Sequence, residues 1–179
     1  QKGIIHRDIK PSNILISTQD QQAVPKIIDF GVAKALSQLL TERTLVTKQG
    51  QMVGTPEYMS PEQAEMTNQD IDTRTDIYSL GVVLYELLTG ALPFDPGTLR
   101  SAGYGEIQRI IREEEPLRPS TRLSALGEAS QQIAEARRTD VAALSRSLQS
   151  ELEWIPLKAM RKERTRRYPS AHEFGEDIR

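Results

Sequence analysis

The stretch spanning residues 76–89 constrains this chain more than any other. Ile77, Leu80, Val83, Leu84, Leu87 and Leu88 recur at helical spacing. They cover so much of the circumference that the helix is expected to run through a core and not merely lie on one. Such a helix needs neighbours on several sides, so the fold class it points to is mainly α. Thr75 or Asp76 supplies the N-cap and Gly90 the C-terminal stop. Asp76 lies in the first turn of this buried segment, where a carboxylate needs hydrogen-bond partners. A self-contained cap is the local alternative.

The rest of the chain reads as short elements. Ile14 to Ile16 form a buried strand, residues 17–23 a polar turn, and Lys26 to Ile28 a second strand. Paired as a hairpin with Ile14 opposite Ile28, they bring Asn13 and Asp29 together at the open end. Two oxygen donors at one place suit a hard divalent cation such as magnesium; as an isolated pair they also read as turn residues at strand ends. Residues 37–51, rich in Thr and Gln, form a long loop. It ends in a run from Gly54 to Glu62 whose prolines and glycine exclude regular structure. A helix resumes over residues 104–114 with Ile107, Ile110 and Ile111 on one face. Residues 129–153 read as amphipathic helix through Val141, Leu144, Leu148 and Leu152. Pro156 marks the first turn of the next helix. Ser170 and Glu173 form a capping-box pattern that opens a last helix over residues 171–178, with His172 at its surface.

Composition narrows the function. The chain has no Cys, which excludes disulfide frameworks, thiolate nucleophiles and Cys-type zinc sites. A net charge of −2 argues against nucleic acid as a partner. The basic run of residues 161–167 accordingly reads as a solvated face. The longest apolar stretch, residues 77–88, is interrupted by Ser79, Gly81 and Glu86 and is too short for a membrane span. No membrane contact is expected from this segment; a cytoplasmic location is expected, in keeping with the lack of Cys, with a parent anchored in a membrane through other regions as the alternative. The chain opens on Gln1, not Met, and is expected to be the carboxy-terminal part of a longer protein.

Chemistry is concentrated near the start, where His6-Arg7-Asp8-Ile9-Lys10-Pro11-Ser12-Asn13 puts a carboxylate, a lysine and a carboxamide within six residues, 8–13. His6-Arg7-Asp8 with Asn13, then Asp29-Phe30-Gly31, then Ser60-Pro61-Glu62, in that order, resembles the catalytic loop, magnesium loop and activation-segment end of protein kinases. Lys10 resembles the Ser/Thr-specific version of the loop. The run from Gly54 to Gln63, Tyr78-Ser79-Leu80-Gly81, and the segment 152–168 with Trp154 look like the bacterial branch of the eukaryotic-like Ser/Thr kinases. The similarity covers nearly the whole chain, residues 125–150 fitting least well.

That resemblance implies a kinase C-lobe spanning residues 1–179, a helical bundle with a small β-hairpin next to the active site. It implies ATP and Mg2+ (or Mn2+) as cofactors and protein Ser/Thr hydroxyls as acceptors. Asp8 would orient the hydroxyl and accept its proton, and Lys10 would offset charge on the transferring group. Asn13 and Asp29 would hold the metal, and Leu15 would floor the adenine pocket. Thr55 would help select Ser or Thr near Asp8 and Lys10. Asp76 would accept hydrogen bonds from the catalytic-loop backbone, with His6 and Phe30 as supports, and Glu62 with Arg167 would form a buried ion pair. Arg7 suggests control by self-phosphorylation of the loop, with Thr47, then Thr44, then Thr41 as candidates; these threonines also read as ordinary loop residues. The family's N-lobe, with its Gly-rich loop, strand lysine and helix glutamate, is absent, so transfer is expected only from the intact parent. A pseudokinase docking module is the alternative, disfavoured by the retention of Asp8, Lys10, Asn13 and Asp29.

Overall fold

A computed structural model describes residues 5–30, 55–65 and 71–179. After a 3-10 turn at Pro11–Asn13, β1 (Ile14–Gln19) and β2 (Gln22–Ile27) form an antiparallel hairpin. Its strands are longer than expected and its register differs by one residue: Ile14 pairs with Ile27, not Ile28. The two-residue turn explains the shift, because Asp20 and Gln21 both adopt positive φ, 49° and 64°. That backbone matches the twist of the flanking strands. The hairpin is also less buried than its apolar sequence suggests, with Leu15 52 % and Ile16 66 % exposed.

A 3-10 turn at Pro56–Tyr58 leads into the single-turn helix α1 (Pro61–Ala64), and the long helix α2 covers Thr73–Thr89. Its N-cap is Asp72, not Thr75 or Asp76: the Asp72 side chain accepts from the Arg74 amide at 2.7 Å. Asp76 is thereby released from capping. At the other end Gly90 takes φ 72°, the left-handed stop expected of a C-terminal glycine. A side chain there would also collide with Ile133.

Helices α3 (Pro96–Ser101), α4 (Tyr104–Glu113) and α5 (Pro119–Ala125) follow. The single amphipathic helix expected over residues 129–153 is instead divided. It comprises α6 (Glu128–Ala136), α7 (Val141–Ser147) and a π-helical turn at Leu148–Leu152. Asp140 causes the break: it caps α7 by accepting from the Ala143 amide at 2.7 Å, and Arg138 before it has φ 56°. Then come α8 (Trp154–Ala159), with Pro156 in its first turn, a 3-10 turn at Arg164–Arg166, and α9 (Ala171–Ile178). Ser170 caps α9 by accepting from the Glu173 amide. Among the described residues no helix is long and apolar enough to cross a membrane.

Helix α2 is the centre of the core. Its Ile77 packs with Ile155, Ala159, Tyr168 and Phe174 on one side, while Tyr78, Val82 and Tyr85 pack with Met160 on another. A third cluster joins Ala64 and Leu99 to Ile107, Ile110 and Ile111 of α4. The approach of α2 to α8 is close because both elements offer small residues. A Cβ built on Gly81 would sit 2.7 Å from that of Ala159. One apolar residue of α2 leaves the core: Leu87, expected inside, is 67 % exposed.

Candidate active site

The chain enters the site through a residue with a left-handed backbone. Arg7 has φ 69°, a conformation that non-glycine residues adopt only when their surroundings impose it. Two helices impose it here. From α2, the Asp76 carboxylate accepts the His6 amide at 2.7 Å on Oδ2 and the Arg7 amide at 2.8 Å on Oδ1. From α1, Gln63 Nε2 donates to the Arg7 carbonyl at 2.8 Å. Burial pushes the Asp76 carboxyl above its ordinary value, partly offset by the two amides.

His6 extends this support sideways. Its Nε2 donates to the Ile28 carbonyl at 2.8 Å, and its Nδ1 accepts from the Asp8 amide at 3.3 Å. The ring lies 5.0 Å from that of Phe30. One buried imidazole therefore ties the start of the loop to the end of β2.

Asp8, Lys10, Asn13 and Thr55 meet on the far side of Arg7. Lys10 Nζ lies 3.1 Å from Asp8 Oδ2 and donates to Thr55 Oγ1 at 3.0 Å. Asn13 Nδ2 donates to the Asp8 carbonyl at 2.8 Å and to Asp8 Oδ2 at 3.2 Å. A carboxylate held by an ammonium and a carboxamide keeps a fixed rotamer while presenting lone pairs to a proton donor.

Thr55 is positioned by the segment that follows it. Tyr58 donates to Glu86 Oε2 at 2.6 Å, and Ser79 donates to the Tyr58 carbonyl at 2.9 Å. Arg100 reaches the buried Glu57 at 3.0 Å. Below it, Glu62 and Arg167 form a two-pronged pair of 2.7 and 2.8 Å. The remaining Arg167 donors go to the carbonyls of Arg74, Arg161 and Lys162. Burial pushes the Glu62 carboxyl up, but the hydrogen bonds and charge of Arg167, aided by Thr75, hold it below its ordinary value.

Asn13 and Asp29 flank the same hairpin end, since the Asn13 carbonyl accepts from the Ile28 amide at 2.9 Å. Asp29 has φ 61°. Because Asn13 directs its amide protons at Asp8, its Oδ1 faces another way, and a carboxamide oxygen with a carboxylate is a donor set that fits magnesium. No group of three or more His, Cys, Asp or Glu among the described residues forms a metal site on its own. Gly31, Thr41, Thr44 and Thr47 lie outside the described residues. Sequence reasoning missed Gln63, although Ser60-x-x-Gln63 is a visible capping-box signature, and the Ser60 amide does donate to Gln63 Oε1 at 3.2 Å. The contacts of Glu86, Ser79 and Arg100 with the segment after Thr55 are not readable, because nothing local in the sequence points to their partners.

This constellation sits on a helical scaffold with one small hairpin beside it. The protein kinase domain family matches residues 1–168, and the chain belongs to that family. It is 35% identical over 178 residues to the serine/threonine-protein kinase PknB of Mycobacterium leprae, covering 99% of this chain and 23% of the relative. To a probable PknB of Bifidobacterium longum it is 40% identical over 176 residues, covering 98% of this chain and 20% of the relative. The chain thus spans about a quarter or less of the length of these relatives. Its fold is similar to the kinase domain of Mycobacterium tuberculosis PknI, with a TM-score of 0.55 at 21% identity, over 99% of this chain and 46% of that one.

Proposed function

We propose that the chain is the large-lobe part of a bacterial Ser/Thr protein kinase domain, supplying the acceptor side of ATP-dependent phosphoryl transfer in its parent protein. The observation that carries this reading is Lys10 bridging Asp8 and Thr55 while Asn13 holds Asp8 from the other side. The acceptor hydroxyl of a protein Ser or Thr hydrogen-bonds to Asp8. As its oxygen bonds to the γ-phosphorus and the bond to the leaving ADP oxygen breaks, its proton passes to the Asp8 carboxylate. Lys10 offsets the charge on the moving phosphoryl group, and Thr55 sets the depth at which a Ser or Thr side chain can sit. Magnesium or manganese, held by Asn13 Oδ1 and the Asp29 carboxylate, would neutralise the nucleotide phosphates. Leu15, on the exposed face of the hairpin, is proposed as the floor under adenine. The nucleotide roof belongs to the rest of the kinase domain, consistent with the 46% of the PknI domain that this chain spans.

Replacing Asp8 by Asn in the full-length parent tests the assignment. Transfer to a protein substrate falls by at least about 100-fold; undiminished transfer overturns it. Regulation is proposed to run through a phosphothreonine at Thr47, Thr44 or Thr41, produced by self-phosphorylation and paired with the Arg7 side chain. Phosphopeptide mapping that finds these threonines unmodified in the active form overturns that part alone. The proposed place of action is the cytoplasm, where ATP is available.

A further inference from the structure

The basic run of residues 161–167 turns out to have two faces. Arg167 and Lys162 point inward, the first into the Glu62 pair and the second to the Ile111 carbonyl at 2.7 Å. Arg161 and Arg166 stay exposed and line a groove of about 520 Å³. Arg118, from the segment before α5, and Lys158 of α8 line it too. Its apolar part is Trp154, 46 % exposed, with Leu157 beside it.

Four cations therefore face one carboxylate in the lining. That carboxylate, Glu153, is buried and already accepts from Ser120 at 2.7 Å and lies 3.4 Å from Arg118. Its role is to hold Arg118 in place, not to neutralise the groove. Lys158 is fixed likewise, 4.0 Å from the Tyr168 ring centroid, 5.6 Å from that of Trp154 and 3.6 Å from Asp177. Arg166 has one edge on Glu163 at 2.6 Å. Each guanidinium carries five donors, so one such pairing leaves donors for a ligand. Arg118, Lys158 and Arg166 are thus each held by a partner beside an aromatic platform, in a chain whose overall charge is −2.

We propose that this groove docks an acidic peptide segment of a protein partner, its carboxylates on Arg118, Arg161 and Arg166 and an apolar side chain against Trp154 and Leu157. Asp177 and Glu163 at the rim disfavour a continuous phosphate backbone, whereas spaced carboxylates can alternate with them. The inference does not depend on the Asp8 cluster and stands or falls separately from it.

Trp154 is the chain's one tryptophan, so its fluorescence reports on this groove alone. The 179-residue chain is titrated with a short Trp-free peptide rich in glutamate around one phenylalanine. The expected result is a saturable spectral shift that weakens with added salt. A lysine-for-glutamate version of the peptide gives no shift. The double variant R161E/R166E, and separately R118E on a different element, each weaken binding about tenfold, read by anisotropy of a labelled peptide, with unchanged circular dichroism. Using both variants keeps the test decisive if one of them misfolds. Absence of saturable binding overturns the proposal, as does equal binding of the lysine peptide or undiminished binding by both variants. Tighter binding of a single-stranded oligonucleotide than of the acidic peptide overturns it in favour of nucleic acid.

Discussion

Two carboxylates, the buried Glu62 and the half-buried Asp76, hold the site together at the ends of short links, and they are solved in opposite ways. Glu62 meets a full counter-charge in Arg167, whose donors are also taken up by three backbone carbonyls. Asp76 meets two backbone amides, dipoles on the loop it positions. The consequence shows in their protonation: Glu62 lies below its ordinary value and Asp76 above. At Glu62 the hydrogen bonds and charge of Arg167 more than offset burial, while at Asp76 the two amides, even with His6 and Arg7 close by, do not quite do so. The Glu62 link joins elements far apart in sequence and serves stability. The Asp76 link gives up some stability to fix a left-handed backbone beside Asp8.

Replacing Arg167 by Met tests the first half of the contrast and has the largest expected effect. It strands Glu62 in the interior and frees three carbonyls, a loss of about 3–5 kcal/mol by urea denaturation. Because the folded-state Glu62 titrates below its ordinary value, its contribution is complete above that value and disappears as pH falls through the lowered one. The wild-type chain therefore loses stability toward acid more steeply than R167M. Parallel acid limbs would show that the ion pair is not what separates the two carboxylates.

Asp76→Asn probes the other half, with a smaller loss of about 1–3 kcal/mol. An Asn offers one acceptor oxygen to two amides, so hydrogen exchange at His6 and Arg7 accelerates in the variant. The raised Asp76 group contributes fully below its ordinary value, and that contribution fades as pH rises through the raised one. The gap between wild type and D76N accordingly narrows toward neutral pH. A gap that widens reverses the assignment.

Gln63 holds the opposite side of Arg7, through its carbonyl. Gln63→Ala removes that bond and the brace on the Ser60 amide, for about 0.5–1.5 kcal/mol. If D76N and Q63A together cost more than their sum, the two helices clamp one strained peptide and not two independent ones.

What the sequence makes legible follows from how locally each feature is determined. His6, Asp8, Lys10 and Asn13 lie within a few residues because one loop must present them together, and Gly90 or Ser170 mark helix ends by their own backbone needs. The one-residue error in hairpin register arises because Asp20 and Gln21 adopt positive φ without the Asn-Gly signature of such turns. Leu15, Ile16 and Leu87 are apolar yet exposed, since periodicity reports composition and not what lies opposite. The carbonyls around Arg167 are invisible in principle, because a backbone acceptor has no residue type. The Glu62–Arg167 pairing spans 105 residues and becomes readable only through resemblance to a family.

Lys162 carries the same comparison to a cation, with the smallest expected effect. Like Asp76 it is hydrogen-bonded to backbone, here the Ile111 carbonyl at 2.7 Å, with the face of Phe94 4.9 Å away at the centroid and the charges of Glu115, Arg167 and Glu114 acting on it from further off. Burial pushes its ammonium down to about 8. Above that pH the folded chain has released a proton that the unfolded chain still holds, so stability rises with pH. The rise ends near the ordinary tyrosine value of 10.0, above which the raised groups of Tyr58, Tyr78 and Tyr85 act in the opposite direction. Lys162→Met removes the alkaline rise and, by exchanging a half-buried charge for an apolar chain, changes stability at neutral pH by less than about 0.5 kcal/mol. Urea midpoints measured across this window distinguish the cases. A wild-type profile that stays flat there means that one carbonyl and one ring suffice for Lys162 where two amides do not suffice for Asp76, and the balance then depends on the ion and not on the kind of partner.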